Sequence, residues 1–312
     1  KAGIGTGGTP VSRNGQLSVS GTQLVNSQGL PVQLKGPSSM WLNWESKRFI
    51  EDKAGIQWAR DNWNASVIRV AMGVNESGGD TLVSNPTGTK ARVNQAVQNA
   101  VDLGMYVIID FHTSKGESQK QLAIDFFKEM ASKWGNTPNV IYETFNEPLK
   151  IDWGSVIKPY HQAVVDEIRK IDPDNIIILG TRDFSQEVDT AAKDPVKGTN
   201  LMYALHFYSC THLQWLRTKA DTALVLDAPI FVSEWGATHA DGGTPSNPNL
   251  CLEEAQNWID WMDENWISWA AWKFDTCQDK SCYFTSSAST SGNWSSSVLY
   301  GHGPFVRDRM ME

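Results

Sequence analysis

The sequence predicts a single-domain α/β protein of the (β/α)₈ or TIM-barrel class. Eight short apolar runs rich in β-branched residues alternate with longer amphipathic stretches along a chain of 312 residues. The runs are almost continuously apolar, which is typical of parallel strands that are buried on both faces. Eight such units favour a closed barrel of about 250 residues over an open sheet. No G-x-G-x-x-G sequence follows a strand, so a dinucleotide-binding fold has no support.

The elements follow one another as strand and helix. The predicted strands are 31–39, 65–72, 106–112, 139–148, 175–181, 201–208, 228–235 and 267–274. The predicted helices are 47–60, 88–103, 118–134, 154–170, 185–193, 212–225 and 250–264, and a short helix over 304–311 closes the chain.

Three further segments complete the prediction. The Gly-rich start indicates a flexible leader over 1–15, followed by one (β/α)₈ domain over 16–312. Segment 15–31 predicts a short β-hairpin with its turn at Asn26–Gly29, which we expect to plug the bottom of the barrel. The Ser-rich stretch 285–297 could be a linker to another module. Because a helical segment follows it, we prefer a long loop after the eighth strand.

The charge of the chain narrows the class of partner. The formal net charge is −8, whereas nucleic acids and anionic membranes require a basic face. A neutral substrate fits this charge better than an anionic one. No run approaches the roughly 18 apolar residues of a membrane span, and no signal segment opens the chain. We expect a secreted, monomeric protein whose signal peptide has been removed, with neither nucleic acid nor membrane as a partner.

Four cysteines allow two disulfides, in any of three pairings, and point to an oxidising compartment. A zinc site is the alternative for the C-x₄-C pair, but no C-x₂-C or H-x₃-H spacing accompanies it. Cys210 follows the sixth strand and Cys251 precedes the seventh helix, so both lie in adjacent loops of the top face. Cys277 and Cys282 share the loop after the eighth strand. We therefore predict the pairs 210–251 and 277–282.

Fourteen tryptophans stand out in the composition. Core packing accounts for some of them, and Trp134 and Trp258 are predicted to be core residues. The alternative is a sugar-binding cleft, because flat aromatic faces cover the apolar faces of pyranose rings.

Polar residues at the carboxyl ends of the strands are the functional candidates, because the reactive groups of such barrels lie there. Each has a purely structural alternative: Arg69 could neutralise a buried Asp110 or Glu143, and the histidines could be hydrogen-bonded core residues. Because so many polar candidates occur together at one end of the barrel, a functional site is favoured over separate structural roles. In chain order the candidates are Arg69, His112, Asn146, Glu147, His206, Tyr208, Glu234 and Trp272.

Two strand-end carboxylates, Glu147 and Glu234, are what glycoside hydrolysis requires. One donates a proton to the leaving oxygen, and the other is ionised and attacks the anomeric carbon. Arg69 could keep Glu234 ionised. His206 and Tyr208 lie two residues apart and project from one face of their strand, so Tyr208 could donate to Glu234 and His206 could bind Glu147.

The strand ends also resemble a known family. The strings VIRVAM, IIDFH, IYETFNEP, LHFY, FVSEWG and AAWKF, in this order, resemble the signatures of glycoside hydrolase family 5, and specifically its bacterial endoglucanase branch, subfamily 2. The resemblance runs from about residue 16 to residue 311. It implies a retaining enzyme with Glu147 as acid/base and Glu234 as nucleophile, surrounded by the other strand-end candidates.

The resemblance adds aromatic platforms. GPSSMWLNW resembles the family's GMSLFWSQW segment, which implies that Trp41 and Trp44 bind the glycone side of the substrate. The chain departs from the family in two places: Met40 stands where many relatives have His, and Lys273 follows Trp272 directly. The family has a lysine a few positions after this tryptophan, and the resemblance therefore implies Lys273 as a further candidate on the glycone side.

The sequence thus predicts an endo-β-1,4-glucanase that acts on cellulose and related β-glucans by double displacement, without metal or cofactor. A β-mannanase on the same barrel is the nearest alternative. A non-catalytic carbohydrate-binding barrel is less consistent with the presence of both glutamates. A metal-dependent hydrolase built from His112, His206 and the glutamates would leave the tryptophans unexplained.

Overall fold

A computed structural model describes residues 7–312 of the chain. The first six residues of the predicted leader lie outside this range. The remainder includes a short helix, α1 (Pro10–Asn14), which Thr9 caps at its N-terminus. The Val11 amide donates to the Gly104 carbonyl at 2.8 Å, and Pro10 is buried. Packed structure therefore begins before residue 16.

Eight parallel strands close into a barrel, as the sequence predicts. After a two-stranded hairpin, β1 (Ser18–Ser20) and β2 (Gln23–Val25), that precedes the barrel, the strands are β3 (Lys35–Ser38), β4 (Val67–Gly73), β5 (Tyr106–His112), β6 (Val140–Glu143), β7 (Ile177–Leu179), β8 (Leu201–Tyr208), β9 (Ile230–Gly236) and β10 (Trp269–Trp272). Their order around the barrel is β10, β3, β4, β5, β6, β7, β8 and β9, and every neighbouring pair is parallel. Each strand lies within one of the eight predicted apolar runs, except that β4 and β9 each end one residue beyond theirs.

Helices follow the strands and cover the barrel. They are α2 (Lys53–Trp63), α3 (Pro86–Leu103), α4 (Lys120–Trp134), α5 (Lys158–Arg169), α6 (Arg182–Ser185), α7 (Val188–Lys193), α8 (Gln214–Val225), α9 (Leu252–Glu264) and α10 (Gly303–Met311). The helix predicted from residue 47 begins only at Lys53, because the Asp52 side chain caps the Ala54 amide. A 3₁₀ turn, Phe49–Glu51, precedes this cap. The helix predicted over 185–193 begins only at Val188, as α7, and α6 before it is a single turn in which Asp183 and Phe184 have left-handed backbone angles.

The predicted hairpin is present, but its turn is elsewhere. Strands β1 (Ser18–Ser20) and β2 (Gln23–Val25) pair antiparallel, with Ser20 opposite Gln23. The connecting turn is therefore at residues 21–22, where Gly21 adopts a positive φ of 59° that glycine tolerates without strain. The Asn26–Gly29 turn comes after the hairpin and leads to a bridge between Val25 and Pro31.

The hairpin closes the bottom of the barrel. Leu17 and Leu24 belong to the same buried cluster as Val67, Tyr106 and Phe231, which lie in the barrel strands. Their burial removes apolar surface from water at the amino-terminal end of the strands. The opposite end remains for the functional site.

Both predicted disulfides are present in the loops of the top face. Cys210 pairs with Cys251, with 5.2 Å between their Cα atoms, and Cys277 pairs with Cys282, with 5.7 Å between theirs. The zinc alternative for these cysteines is therefore wrong. The stretch 285–297 is a loop between β10 and α10, as expected. Trp134 and Trp258 are buried, as predicted.

Candidate active site at the carboxyl ends of the strands

Arg69 on β4 is the centre of the site. Its side chain is completely buried, and its guanidinium binds three carboxyl groups. Nε donates to Glu143 at 2.8 Å, one terminal nitrogen donates to Glu234 at 2.9 Å, and the other lies 3.0 Å from Asp110. Arg69 thus has both of the contacts that the sequence suggested. It pairs with the buried carboxyl groups of Asp110 and Glu143, and it also binds Glu234.

Glu234 on β9 is held between two donors. Arg69 donates to one carboxyl oxygen, and the Tyr208 hydroxyl donates to the other at 2.8 Å, as predicted. Burial raises the pKa of the Glu234 carboxyl. The positive charges of His206 and Arg69, together with the Tyr208 hydrogen bond, outweigh burial and lower this pKa below its usual range. Glu234 is therefore ionised at neutral pH.

Glu147 lies four residues beyond the end of β6 and not on the strand itself. The backbone remains attached to β5, because the Asn146 amide donates to the Phe111 carbonyl and the Glu147 amide donates to that of Thr113. The Glu147 side chain is 21% exposed, whereas that of Glu234 is 7% exposed. Glu147 is thus the member of the pair that water and substrate reach more easily.

His206 on β8 connects Glu147 to the buried charges. Its Nδ1 lies 2.9 Å from a Glu147 oxygen, and its Nε2 lies 2.9 Å from the Ser233 hydroxyl, which donates to Glu143 at 2.6 Å. Burial lowers the pKa of His206, but hydrogen bonding to Glu143 and Glu147 and the charge of Glu234 outweigh it and raise the pKa to about 9. His206 is therefore an imidazolium that donates from both nitrogens.

The pKa of His112 is shifted in the opposite direction from that of His206. Burial and the charge of Arg69 lower its pKa to about 4, so the ring is neutral at working pH. Its Nδ1 donates to Asp110, and its Nε2 lies 3.4 Å from the Asn146 amide nitrogen. Since Arg69 donates to the Asn146 Oδ1 at 2.6 Å, the orientation of this amide is fixed, with its NH₂ directed away from the guanidinium.

Aromatic side chains extend from His112 toward the surface. Trp272 stacks on the His112 ring, with centroids 5.4 Å apart and an interplanar angle of 2°. Trp41 meets the same ring edge-on at 4.1 Å, and Trp44 lies 4.8 Å from Trp41. Trp44 is 43% exposed, and its indole N–H donates to the Ser77 carbonyl at 2.9 Å, which fixes the ring.

Lys273 lies beside this group, but its ammonium already has a partner. The side chain is almost buried, and Nζ donates to Asp279 at 2.8 Å inside the loop closed by Cys277 and Cys282. Its nitrogen is also 6.0 Å from the centroid of the Trp272 ring. The structure thus places Lys273 near the candidate site as part of an ion pair.

Sequence reasoning missed Phe184. In α6 the residues Asp183, Phe184 and Ser185 all have φ near +60°, a left-handed turn that costs non-glycine residues of order 1–3 kcal/mol each. The Phe184 amide donates to the Pro148 carbonyl, and the Ser185 hydroxyl donates to the Asn146 carbonyl. These bonds fasten the turn to the Glu147 segment. Phe184 is 43% exposed and lines a cavity of about 190 Å³.

That cavity opens beside the candidate acid/base. Its lining consists of Glu147, Phe184, Gln186, His206, Tyr208, His212 and Ala240. Neither Phe184 nor His212 carried a sequence signal, because each lies between a barrel strand and the next long helix, where periodicity does not show which side chains face the site. Ser233 gave no signal either, since a serine within an apolar strand does not indicate its hydrogen-bond partners.

The same residues resemble a metal site in one respect. Glu147, His206 and Glu234 each offer a ligand-type atom, and these atoms lie within 4.8 Å of one another. However, both nitrogens of His206 and both oxygens of Glu234 already take part in hydrogen bonds. Metal binding requires a neutral imidazole, whereas His206 is protonated. The donor set fits hydrogen-bonded acid–base chemistry better than it fits a metal ion.

Burial has opposite outcomes for the pKa of two histidines, His206 and His161, and this difference leads to a pH prediction. We expect His206 to titrate near pH 9 and His161, which hydrogen-bonds Thr144 and the Gly180 carbonyl, near pH 4. Because the folded-state pKa of His206 lies above the ordinary 6.5, its contribution to stability is complete below pH 6.5 and disappears as pH rises through 9.

NMR titration of the imidazole signals and denaturant unfolding between pH 6 and 10 measure these two effects. His161 serves as the internal control for burial without ionic partners. A His206 signal that titrates at or below pH 6.5 would show that the carboxylates do not hold its proton.

Comparisons with known proteins agree with this geometry. The family model for cellulase, glycosyl hydrolase family 5, matches residues 25–278. The chain is 43% identical over 300 residues to an endoglucanase of Clostridium saccharobutylicum, covering 95% of this chain and 65% of that protein. It is 42% identical over 306 residues to endoglucanase 5 of Pectobacterium carotovorum subsp. carotovorum, covering 97% of this chain and 59% of that protein. The chain thus spans less than two thirds of the length of these relatives.

Solved structures share the fold over the whole barrel. The catalytic domain of a Thermobifida fusca endoglucanase has a TM-score of 0.89 and 33% identity, covering 98% of this chain and 100% of that one. A variant of that domain in complex with cellotetraose matches with the same TM-score, 32% identity and the same coverage. The family model covers most of the chain, and on this evidence the chain belongs to glycoside hydrolase family 5.

Proposed function

We propose that this protein is a retaining endo-β-1,4-glucanase that hydrolyses internal bonds of cellulose and related β-glucans. The observation that carries the mechanism is the closeness of Glu147 and Glu234: one carboxyl oxygen of Glu147 lies within 4.8 Å of one carboxyl oxygen of Glu234. Retaining enzymes have carboxyl groups about 5–5.5 Å apart, whereas inverting enzymes need roughly 6.5–9.5 Å to admit a water molecule. The shorter separation supports direct attack by one carboxylate.

The surroundings of the two carboxyl groups support their roles. Glu234, held as an anion by Arg69 and Tyr208, attacks the anomeric carbon and forms a glycosyl-enzyme ester. Glu147 donates a proton to the glycosidic oxygen, and the sugar beyond the cleaved bond departs with it. Glu147 then takes a proton from water, which attacks the ester and releases a product of retained configuration. His206 connects Glu147 to Ser233 and Glu143, which keeps the acid/base in position.

Asn146 supplies a contact to the sugar. Because Arg69 occupies its Oδ1 and the His112 Nε2 can accept only one N–H, the NH₂ group keeps an N–H as a donor for a substrate. A hydrogen bond to the 2-hydroxyl of the reacting sugar strengthens as the transition state forms, and such bonds together with distortion of the sugar contribute several kcal/mol. We assign this role to Asn146.

Aromatic platforms on opposite sides of the barrel support an endo mode of action. Trp41 and Trp44 follow β3, and Phe184 follows β7, four strands farther around the eight-stranded barrel. The reacting carboxyl groups lie between these two sides. A glucan chain that stacks on both sides must place an internal bond at Glu147 and Glu234.

An activity panel tests the proposal. The enzyme should release reducing sugars from carboxymethylcellulose and lichenan with a fall in viscosity, and should act weakly on mannan. NMR of the first product should show the β-anomer. Preference for mannan would favour the β-mannanase, absence of turnover with retained glucan binding would favour a binding protein, and loss of activity on chelation would favour a metal-dependent hydrolase.

Tryptophan substitutions test the platforms. Trp272→Ala and Trp44→Ala should weaken oligosaccharide binding, for Trp44 by about 1–2 kcal/mol, because the indole covers one sugar face. Trp258→Ala should instead lower the free energy of unfolding by roughly 3–5 kcal/mol, since Trp258 is fully buried against Phe207. Calorimetric binding and thermal melts separate the two classes. Unchanged binding and activity in Trp272→Ala would remove it from the site.

The two disulfides support secretion. Disulfides persist in oxidising compartments and are rare in the bacterial cytosol. Among the described residues no helix is long and apolar enough to cross a membrane. We infer an extracellular enzyme, which suits a polymer too large to enter a cell. Fractionation of an expressing culture tests this inference, and retention of the mature enzyme in the cytosol would contradict it.

A further inference from the structure

We propose that Trp215 forms an outer aglycone subsite, a second aromatic platform beyond Phe184 for the part of the glucan chain that leaves the acid/base. This inference rests on the proposed glucanase function. Trp215 is the second residue of α8, which follows β8, so it lies at the same end of the barrel as the reacting glutamates. The residue is 45% exposed, so its ring is accessible to a ligand.

Direct contacts connect Trp215 to the cavity beside Glu147. The Trp215 ring meets the His212 ring edge-on at 5.8 Å, and His212 lines the cavity together with Phe184. His212 is rigid, because its Nδ1 accepts the Tyr208 amide at 2.8 Å and its own amide donates to the Tyr208 carbonyl. The wall of the cavity therefore continues outward onto the indole.

A second connection runs through Glu187. This residue follows the left-handed turn that carries Phe184, and it accepts from Arg182 at 2.7 Å. Its other oxygen lies 3.7 Å from the Lys219 ammonium, which in turn lies 5.7 Å from the centroid of the Trp215 ring. The Phe184 turn and the first turns of α8 are thus tied together, and both exposed aromatic rings lie on the same side of Glu147.

The chemistry of this surface fits a neutral sugar. An indole held by its neighbours loses little conformational entropy on binding and covers the apolar face of a pyranose ring. The ammonium of Lys219, whose side chain is 35% exposed, can donate to hydroxyl groups at the edge of that ring. Leu213, also 45% exposed, widens the apolar area. The occupant is a β-1,4-glucan chain, because the surface continues directly from the cavity that holds the candidate acid/base.

The experiment compares substrates of different length in the Trp215→Ala variant. Activity on cellohexaose should fall about fivefold to tenfold, the effect of removing one good aromatic contact. Activity on an aryl cellobioside, whose small aglycone does not reach Trp215, should not change. With cellohexaose labelled at its reducing end, the main cleavage position should move toward that end, because fewer sugars are held beyond Glu147. Trp215→Phe should recover part of the activity on cellohexaose and move the cleavage position part of the way back.

Trp266→Ala is the matched control. Trp266 is 47% exposed but precedes β10 at the bottom of the barrel, so its loss should change neither rate nor cleavage position. An unchanged cleavage position in Trp215→Ala, or an equal loss on the aryl cellobioside, would overturn the subsite. Failure of the unmutated enzyme to cleave any cello-oligosaccharide would instead overturn the proposed function.

Discussion

Replacement of Glu147 by alanine should reduce cellulose hydrolysis by about 10²–10⁴-fold, the usual contribution of a general acid. Aryl glycosides whose leaving group needs no proton should still form the glycosyl-enzyme, since Glu234 and its partners Arg69 and Tyr208 remain. Added azide should then restore turnover and yield the β-glycosyl azide, because it attacks the ester in place of water without needing a base.

Replacement of Glu234 by alanine should give a different result. The variant should be inert toward both kinds of substrate, since no nucleophile remains. Azide that enters the space left by the side chain should yield the α-glycosyl azide. Rate measurements and NMR of the azide products distinguish the two variants.

Glu254 provides a matched control for these substitutions. Its side chain is 21% exposed, as is that of Glu147, and it pairs with Arg217 away from the site. Glu254→Ala should leave the rate and its response to azide unchanged. The reverse pattern of azide products would exchange the roles of Glu147 and Glu234, and an inverted product from the unmutated enzyme would refute double displacement.

Replacement of Arg69 by methionine should lower the free energy of unfolding by about 3–5 kcal/mol, because it leaves buried carboxylates without their cation. The pKa of Glu234 should rise, since the charge of Arg69 helps to lower it. The acidic limb of the pH–rate profile should therefore move to higher pH. The acidic limb of Arg69→Lys should lie between those of the unmutated enzyme and Arg69→Met. An ammonium keeps the charge but cannot bridge the carboxyl groups as the guanidinium does.

Arg217→Met separates the loss of a buried ion pair from the loss of the cation beside Glu234. The Arg217 side chain is 7% exposed and donates to Glu254 at 2.6 Å. Its removal should lower stability and leave the acidic limb in place. Measurements of kcat/KM against pH, made below the melting temperature of each variant, provide the comparison. If the acidic limb of Arg69→Met also stayed in place, Arg69 would not control the charge of Glu234.

The sequence by itself determined the barrel and the end of the barrel at which Glu147 and Glu234 meet. Eight buried runs are recognisable because apolar periodicity is a local property of the chain. Parallel strands bring their carboxyl ends to one face, so residues such as Arg69 and Glu234, 165 positions apart, could be expected to meet. The disulfide pairs followed from the same ordering of loops.

Only the tertiary structure decided which polar groups support the pair and which loops extend the cleft. Ser233 binds His206 and Glu143, a contact that depends on side-chain direction across three strands. Phe184 reaches the cavity through a left-handed turn that long-range hydrogen bonds hold in place. The hairpin turn at residues 21–22 was likewise fixed by strand register. Such features depend on contacts between residues far apart in sequence, whereas periodicity records only the burial of each segment.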